Sequence, residues 1–253
     1  MATDYPRIAI VTGATSGIGE ATAKEFVAAG YAVVGTGRTA SKLEALETEL
    51  GAAFAGYAGD GAAQETIDAL FTLTNEKFGG DPDIVVVNAG RGLGGSVKDA
   101  DLTEFEDMMR INVTGAIRLM QKAAQKMAES QKTNFPKKAA DIVVIGSVVG
   151  RQVSPFSAVY GGSKFAVHSM AEGLRREVGP LGVRVTTLAP GIVISGFQEV
   201  AGYGEDILNT FEEKFAPMLV GKDIAEAILH VVSLPPHVHI SNITVRPTRQ
   251  DYP

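Results

Sequence analysis

Short apolar runs alternate with longer stretches of helical periodicity along this chain. Val183-Arg184-Val185-Thr186-Thr187-Leu188 reads as a strand with interspersed polar positions, while residues 8–11, 32–34, 53–58, 83–87 and 142–145 are mostly apolar. Runs of this length and composition predict strands buried on both faces. Helical patterns lie between them: 20–29 closed by Gly30, a stretch capped by Ser41 and running to Leu50, 62–78, about 103–132, 158–178 closed by Gly179-Pro180, and 222–234. Ile243-Thr244-Val245 reads as a last strand. Strand and helix in strict alternation predict an α/β fold, a doubly wound parallel sheet of about seven strands with helices on both faces. The 103–132 helix contains Asn112 and Gly115, both poor interior helix residues. The segment from 192 to about 215 reads as irregular, with Gly196, Gly202 and Gly204 among Phe197, Tyr203, Phe211 and Phe215. It is expected to form a substrate lid over 192–216 within one domain spanning 1–253.

The first strand leads into Thr12-Gly13-Ala14-Thr15-Ser16-Gly17-Ile18-Gly19 and then a helix. Strand, glycine turn and helix N-terminus present backbone N–H groups to a phosphate, and the glycines permit the tight turn and close approach of a pyrophosphate. Gly13, Thr15, Ser16, Gly17, Ile18 and Gly19 are therefore candidate cofactor ligands. Gly90-Arg91-Gly92-Leu93-Gly94-Gly95 also spells GxGxxG, but residues 96–101 intervene before any helix. It is expected to be a flexible loop beside the ligand. The second strand ends in Gly37, with Arg38 next. A carboxylate there would bond a ribose 2′-hydroxyl and repel a 2′-phosphate, whereas a guanidinium offers donors to phosphate. NADP(H) is thereby favoured over NAD(H), with Arg38 as the 2′-phosphate ligand; the alternative is a surface arginine.

The length of 253 residues suits one large α/β domain, and 45% hydrophobic residues suffice for its core. A net charge of −6 argues against a nucleic-acid partner. The absence of cysteine excludes disulfides, thiolate catalysis and cysteine zinc sites, and fits a cytoplasmic chain. The histidines at 168, 230, 237 and 239 form no HExxH pair, and no metal site is expected. Residues 1–7 lack the apolar core of a signal peptide, and no apolar run is long enough to cross a bilayer, so no membrane partner is expected.

The candidate chemistry is carried by Ser147, Tyr160 and Lys164, with Asn112 upstream. Hydride transfer to a carbonyl leaves an alkoxide that needs a proton. Free tyrosine, with a pKa of about 10, exchanges protons poorly near neutrality. A neighbouring ammonium lowers that pKa, and the four-residue spacing puts Lys164 on the face of Tyr160. A serine hydroxyl at a strand end can hold the same carbonyl oxygen.

The order of glycine turn, Asn88-Ala89-Gly90 after strand four, Ser147 after strand five, Tyr160 to Lys164 and Pro190-Gly191 after strand six resembles the short-chain dehydrogenase/reductase family in its single-domain, Rossmann-like form. The resemblance covers nearly the whole chain. It implies an oxidoreductase moving hydride between NADP(H) and a carbonyl or alcohol, with Tyr160 as general acid in reduction and base in oxidation. It implies that Lys164 bonds the nicotinamide ribose, that Ser147 orients the substrate oxygen, and that Asn112 holds a water in a proton relay. Asp60 would contact adenine, Asn88, Ala89 and Gly90 would line the cofactor, and the backbone after Pro190-Gly191, at Ile192 and Val193, would hold the carboxamide. A homo-oligomer, tetramer or dimer, is implied through the long helices. Val87 and Gly61 depart from the family's usual asparagine and apolar residue. The tail Arg246-Pro247-Thr248-Arg249-Gln250 is similar to a subgroup acting on small aldehydes, ketones or short hydroxy acids. Arg91 and Arg151 follow active-site strand ends, where either could bind an anionic substrate; the alternative is a subunit-interface or surface arginine. Two other readings stay open: a non-catalytic NADP(H)-binding regulator, and an epimerase or dehydratase on the same fold.

Overall fold

A computed structural model describes residues 5–202 and 204–252. Residues 1–4, part of the N-terminal stretch read above, and Tyr203, one of the aromatics of the 192–216 segment, lie outside the described residues. The strands are β1 (Ile8–Thr12), β2 (Ala32–Gly37), β3 (Phe54–Ala58), β4 (Ile84–Val87), β5 (Ala140–Ile145), β6 (Val183–Pro190), β7 (Val193–Ile194), β8 (Leu219–Val220) and β9 (Asn242–Val245). Among the described residues, a seven-stranded sheet has the order β3-β2-β1-β4-β5-β6-β9, every pair parallel, and β7 and β8 form a separate small pair.

The helices are α1 (Gly17–Ala28), α2 (Ala40–Leu50), α3 (Gln64–Phe78), α4 (Phe105–Met109), α5 (Ala116–Asn134), α6 (Ala158–Val178), α7 (Phe197–Val200), α8 (Glu205–Phe215) and α9 (Gly221–Ser233). The period-two geometry of the strands divides their side chains between two cores. Ile8, Ile10, Val85, Val87, Ile142 and Val144 pack with α3, α5 and α6 on one face. Ala9, Val11, Ile84, Val86, Val143 and Ile145 pack with α1, α2 and α9 on the other. Both faces are covered, so these strands are apolar at nearly every position. Val87, the departure from the family's asparagine, is one such core residue.

Four local expectations change. Helix α2 begins at Ala40 with Thr39 as its N-cap, so Ser41 lies in the first turn and not at the cap. The 103–132 helix divides into α4, a π-helical turn at Arg110–Gly115, and α5. Asn112 and Gly115, out of place in an α-helix, both belong to that wider turn, a feature often found at functional sites. Segment 192–215 is more ordered than its glycines suggest and carries β7, α7 and α8. Strand β5 begins at Ala140, which brings Asp141 into the sheet. No described helix is long and apolar enough to cross a membrane.

Candidate active site

The sheet order reverses between β1 and β4, each leaving that point in opposite directions. In open α/β sheets, the crevice outside the carboxyl ends of such strands is where ligands bind. The glycine turn follows β1 and Asn88-Ala89-Gly90 follows β4, so both motifs meet there. Gly13 (φ 68°) and Gly17 (φ 54°) occupy left-handed backbone conformations suited to glycine. Thr12 joins the two loops. Its hydroxyl donates to Val86 O (3.2 Å) and accepts from the N–H groups of Asn88 and Ala89 (both 3.0 Å). Asn88 Nδ2 returns bonds to Thr12 O (2.8 Å) and Gly13 O (3.4 Å). Asn88 thus braces the glycine turn, and Thr12, absent from the sequence-derived site, is the strut between the loops. Ser16 is the exposed N-cap of α1, with no cap bond from its side chain.

At the far end of the turn, a Cβ on Gly37 would lie 2.4 Å from Thr15 Cγ2 and 2.6 Å from Thr15 Oγ1. An aspartate at this strand end would therefore displace Thr15, giving the missing acid a steric reason. Arg38 is exposed directly beyond it. Asp60 Oδ1 accepts from Ala62 N–H at 3.0 Å, and Oδ2 accepts from Arg110 at 2.7 Å.

Nearer the centre of the cleft, the π-turn, the β4 loop and α6 converge. Asn112 Oδ1 accepts from Arg91 N–H (2.8 Å), and its Nδ2 donates to Arg91 O (2.9 Å) and Ser163 Oγ (3.1 Å). Gly90 lies between Asn112 and Lys164: a Cβ there would be 3.3 Å from Asn112 Oδ1 and 3.7 Å from Lys164 Nζ. Lys164 is buried, its Nζ donating to Ile145 O at 2.9 Å and lying 5.8 Å from the centre of the Tyr160 ring. Tyr160 is itself buried, in a cluster with Met108, Val148 and Val149. Ser147 leaves β5 as the N-cap of the 3-10 turn Val148–Gly150, its Oγ accepting from Val149 N–H at 3.4 Å. Its own N–H donates to His168 Nε2 at 3.2 Å. His168 lies one helical turn beyond Lys164 on α6. Burial, with the charges of Arg151 and Lys164, lowers its pKa to about 4. The imidazole is neutral near pH 7, protonated on Nδ1 and accepting at Nε2.

Burial alone brings the Lys164 pKa from 10.5 down to about 8. Below about pH 8 the lysine is charged in folded and unfolded chain alike, so folding carries the full cost of desolvating it. Between about 8 and 10.5 it is neutral folded and still charged unfolded, so the cost falls as pH rises. The full cost is on the order of 3 kcal/mol. Wild type should therefore gain stability over this window relative to Lys164→Met. Denaturant melts of both proteins from pH 7 to 10.5 read this difference, and parallel pH profiles would refute it.

The start of the 192–216 segment packs beside this cleft. The Phe197 ring lies 5.4 Å from that of Tyr160. A Cβ on Gly92 would meet Ala201 Cβ at 2.5 Å and Phe197 Cζ at 2.7 Å, and Gly94 N–H bonds Ala201 O at 3.0 Å. Close packing against α7 accounts for Gly92, and no helix opens at the end of this GxGxxG string. The two arginines considered for an anionic substrate already have partners. Arg91 pairs with Glu104 (2.6 Å) and Asp107 (2.9 Å), and Arg151 donates to Asn242 at 2.7 Å.

Pro190 ends β6, and Gly191 N–H bonds Val245 O at 2.7 Å. Ile192 N–H donates to Gln250 Oε1 at 3.0 Å, and Val193 O accepts from Gln198 Nε2 at 2.6 Å. Ser195 faces the glycine turn: a Cβ on Gly17 would lie 3.1 Å from its Cβ. Sequence reasoning missed Ser195, Gln198, His168 and Gln250. The hydroxyl ending the apolar run Ile192-Val193-Ile194 was the available signal for Ser195; His168 and Gln250 depend on contacts distant in sequence, and Gln198 on a local turn back to Val193 and Ser195.

Comparison with known proteins agrees with this architecture. The family profile described as short chain dehydrogenase matches residues 7–204. An uncharacterized oxidoreductase of Staphylococcus aureus (strain USA300) is 34% identical over 241 residues, covering 95% of this chain and 97% of the relative. A serine dehydrogenase, in its closed form with NADP+, has a TM-score of 0.86 at 30% identity, with 97% of this chain and 96% of that one covered. A 3-ketoacyl-(acyl-carrier-protein) reductase of Brucella melitensis, complexed with NADH, also has a TM-score of 0.86, at 26% identity with 97% and 98% covered. The chain belongs to the short-chain dehydrogenase/reductase family, and is an oxidoreductase of that family.

Proposed function

We propose that this protein is an NADP(H)-dependent oxidoreductase that moves a hydride between the nicotinamide and a small ketone, aldehyde or short hydroxy acid. The observation that carries this reading is the buried Lys164 ammonium, held beside Tyr160 at the carboxyl ends of the central strands. The glycine turn holds the pyrophosphate on backbone N–H groups at the start of α1. Asp60 meets the adenine, and the backbone at Ile192 and Val193 takes the carboxamide. Bound NADP(H) supplies or accepts the hydride.

In reduction, Ser147 Oγ donates to the substrate oxygen and Tyr160 Oη gives it a proton. Lys164 stabilises the phenolate left behind. Asn112 Oδ1 has a second lone pair beyond its bond from Arg91, with which it holds the relay water. The 192–216 segment, with Phe197 over Tyr160, forms the lid that excludes bulk water. A panel of carbonyls and alcohols with NADPH, NADH and their oxidised forms tests the reading. Stoichiometric cofactor turnover is expected, and a protein that converts substrate without consuming cofactor would overturn it.

Arg38 supplies the preference for NADP(H): it follows β2 where no carboxylate stands, and its exposed guanidinium offers donors suited to a 2′-phosphate. Arg38→Asp should weaken NADPH binding by about tenfold or more while changing NADH much less, because it replaces attraction by repulsion at the 2′ position. Titration of both cofactors measures this. An unchanged NADPH-to-NADH ratio would remove Arg38 from the site.

A further inference from the structure

Gln250 lies on the C-terminal tail beyond β9 and is 6% exposed. Its backbone N–H donates to Pro247 O at 2.9 Å, folding the tail back toward the end of β6. Its Oε1 accepts from Ile192 N–H at 3.0 Å. The same oxygen occupies the space a side chain at position 191 would need: a Cβ built on Gly191 would lie 2.2 Å from it. With Gly191 N–H bonded to Val245 O, consecutive backbone donors after Pro190 are held by β9 and the tail. Beyond Gln250, Tyr252 Oη donates to Val153 O at 2.5 Å, so the tail also reaches the segment that follows Ser147.

The other end of the same amide, Gln250 Nε2, is buried with no acceptor among the described residues. A buried amide donor without a partner is costly, and as mere packing an apolar side chain of this size would serve better. What glutamine adds is the acceptor for Ile192. Without it, that N–H loses its partner and the turn is held less firmly between its bond to β9 and strand β7. Val193 follows directly, so a change at Ile192 passes into the backbone that receives the carboxamide.

We propose that Gln250 is a positioning residue for the nicotinamide end of the cofactor, holding Gly191-Ile192-Val193 in the receiving conformation. This rests on the NADP(H) reading above. The test titrates NADPH and 2′-phospho-ADP-ribose, which lacks the nicotinamide, into wild type and Gln250→Met, a variant of similar volume without the acceptor. The dissociation constant for NADPH should rise about tenfold, the loss of one good hydrogen bond. That for 2′-phospho-ADP-ribose should stay within about twofold, since the fragment does not reach the turn. Gln250→Glu keeps an acceptor oxygen and should recover most of the NADPH affinity. Gln250→Asn, one carbon short of Ile192, should reproduce the loss and serves if the methionine variant fails to fold. Variants that bind both ligands like wild type, or lose both equally, overturn this assignment alone. Wild-type protein that binds neither ligand overturns the function reading and this assignment with it.

Discussion

Tyr160→Phe should lower turnover of any carbonyl substrate by roughly a thousandfold, within the range for loss of a positioned acid or base. That corresponds to about 4 kcal/mol of transition-state stabilisation. The change removes one oxygen and leaves the ring, which packs with Met108, Val148 and Val149 and lies 5.4 Å from Phe197. The fold and the affinity for NADPH should therefore stay close to wild type, within about threefold for the dissociation constant. The pairing of lost turnover with kept binding distinguishes a proton donor from a structural tyrosine. Steady-state rates with NADPH, beside a direct cofactor titration, give both quantities. A variant that binds cofactor normally and turns over at the wild-type rate would remove Tyr160 from the chemistry.

Lys164 contributes to the same step by other means. Its desolvation opposes folding, yet it places a cation within reach of the phenol in a site with little water to screen it. An ammonium kept there against the cost of burial fits a functional role better than a stabilising one. Lys164→Met is accordingly expected to lose turnover while escaping that cost.

The parts of this molecule legible in sequence are those fixed by local pattern. The apolar runs at 8–11, 84–87 and 142–145 had one reading, because strands covered on both faces leave no place for polar residues. The glycine turn was legible because its spacing follows from the geometry of one strand-to-helix transition. The π-turn at Arg110–Gly115 was not, since the apolar periodicity on either side of it continues and only Asn112 and Gly115 hint at a break. The helices α7 and α8 were hidden by the glycines around them, of which Gly202 (φ 73°) takes a left-handed turn. His168, Gln198 and Gln250 act through contacts 21, 5 and 58 residues away. Their side chains look ordinary until the fold brings those backbone groups to them.

Asp141 extends that point to stability, and its loss should be the most damaging single change away from the cleft. The run Val183-Arg184-Val185 resembles a strand with one solvated face, but Arg184 is buried and makes a two-pronged pair with Asp141, through Nε (2.7 Å) and NH2 (2.9 Å). Arg7 bonds the same carboxylate at 2.8 Å from the other side. The two guanidinium groups also gather carbonyls at the end of α9 and just beyond it. Arg7 and Arg184 both donate to Val232 O, and Arg184 reaches Leu234, Pro235 and Val238 as well. The C-terminal end of a helix is the negative end of its dipole, so it and one carboxylate together balance two buried cations. Asp141→Ala removes that carboxylate and leaves both cations in place, at a cost of about 3–5 kcal/mol for an uncompensated buried charge. For a chain of this size the thermal midpoint should fall on the order of 10 °C. Asp141 stands at the start of β5 and Ser147 lies just past its end, about 20 Å away along an extended strand. Turnover measured well below the midpoint should therefore stay near wild type. Replacing Arg7, Asp141 and Arg184 together by apolar residues of similar volume should restore much of the stability, because the cost lies in the unpaired charge. A midpoint that moves by less than about 2 °C in Asp141→Ala would mean that water reaches both arginines and that the trio does not lock this corner of the sheet.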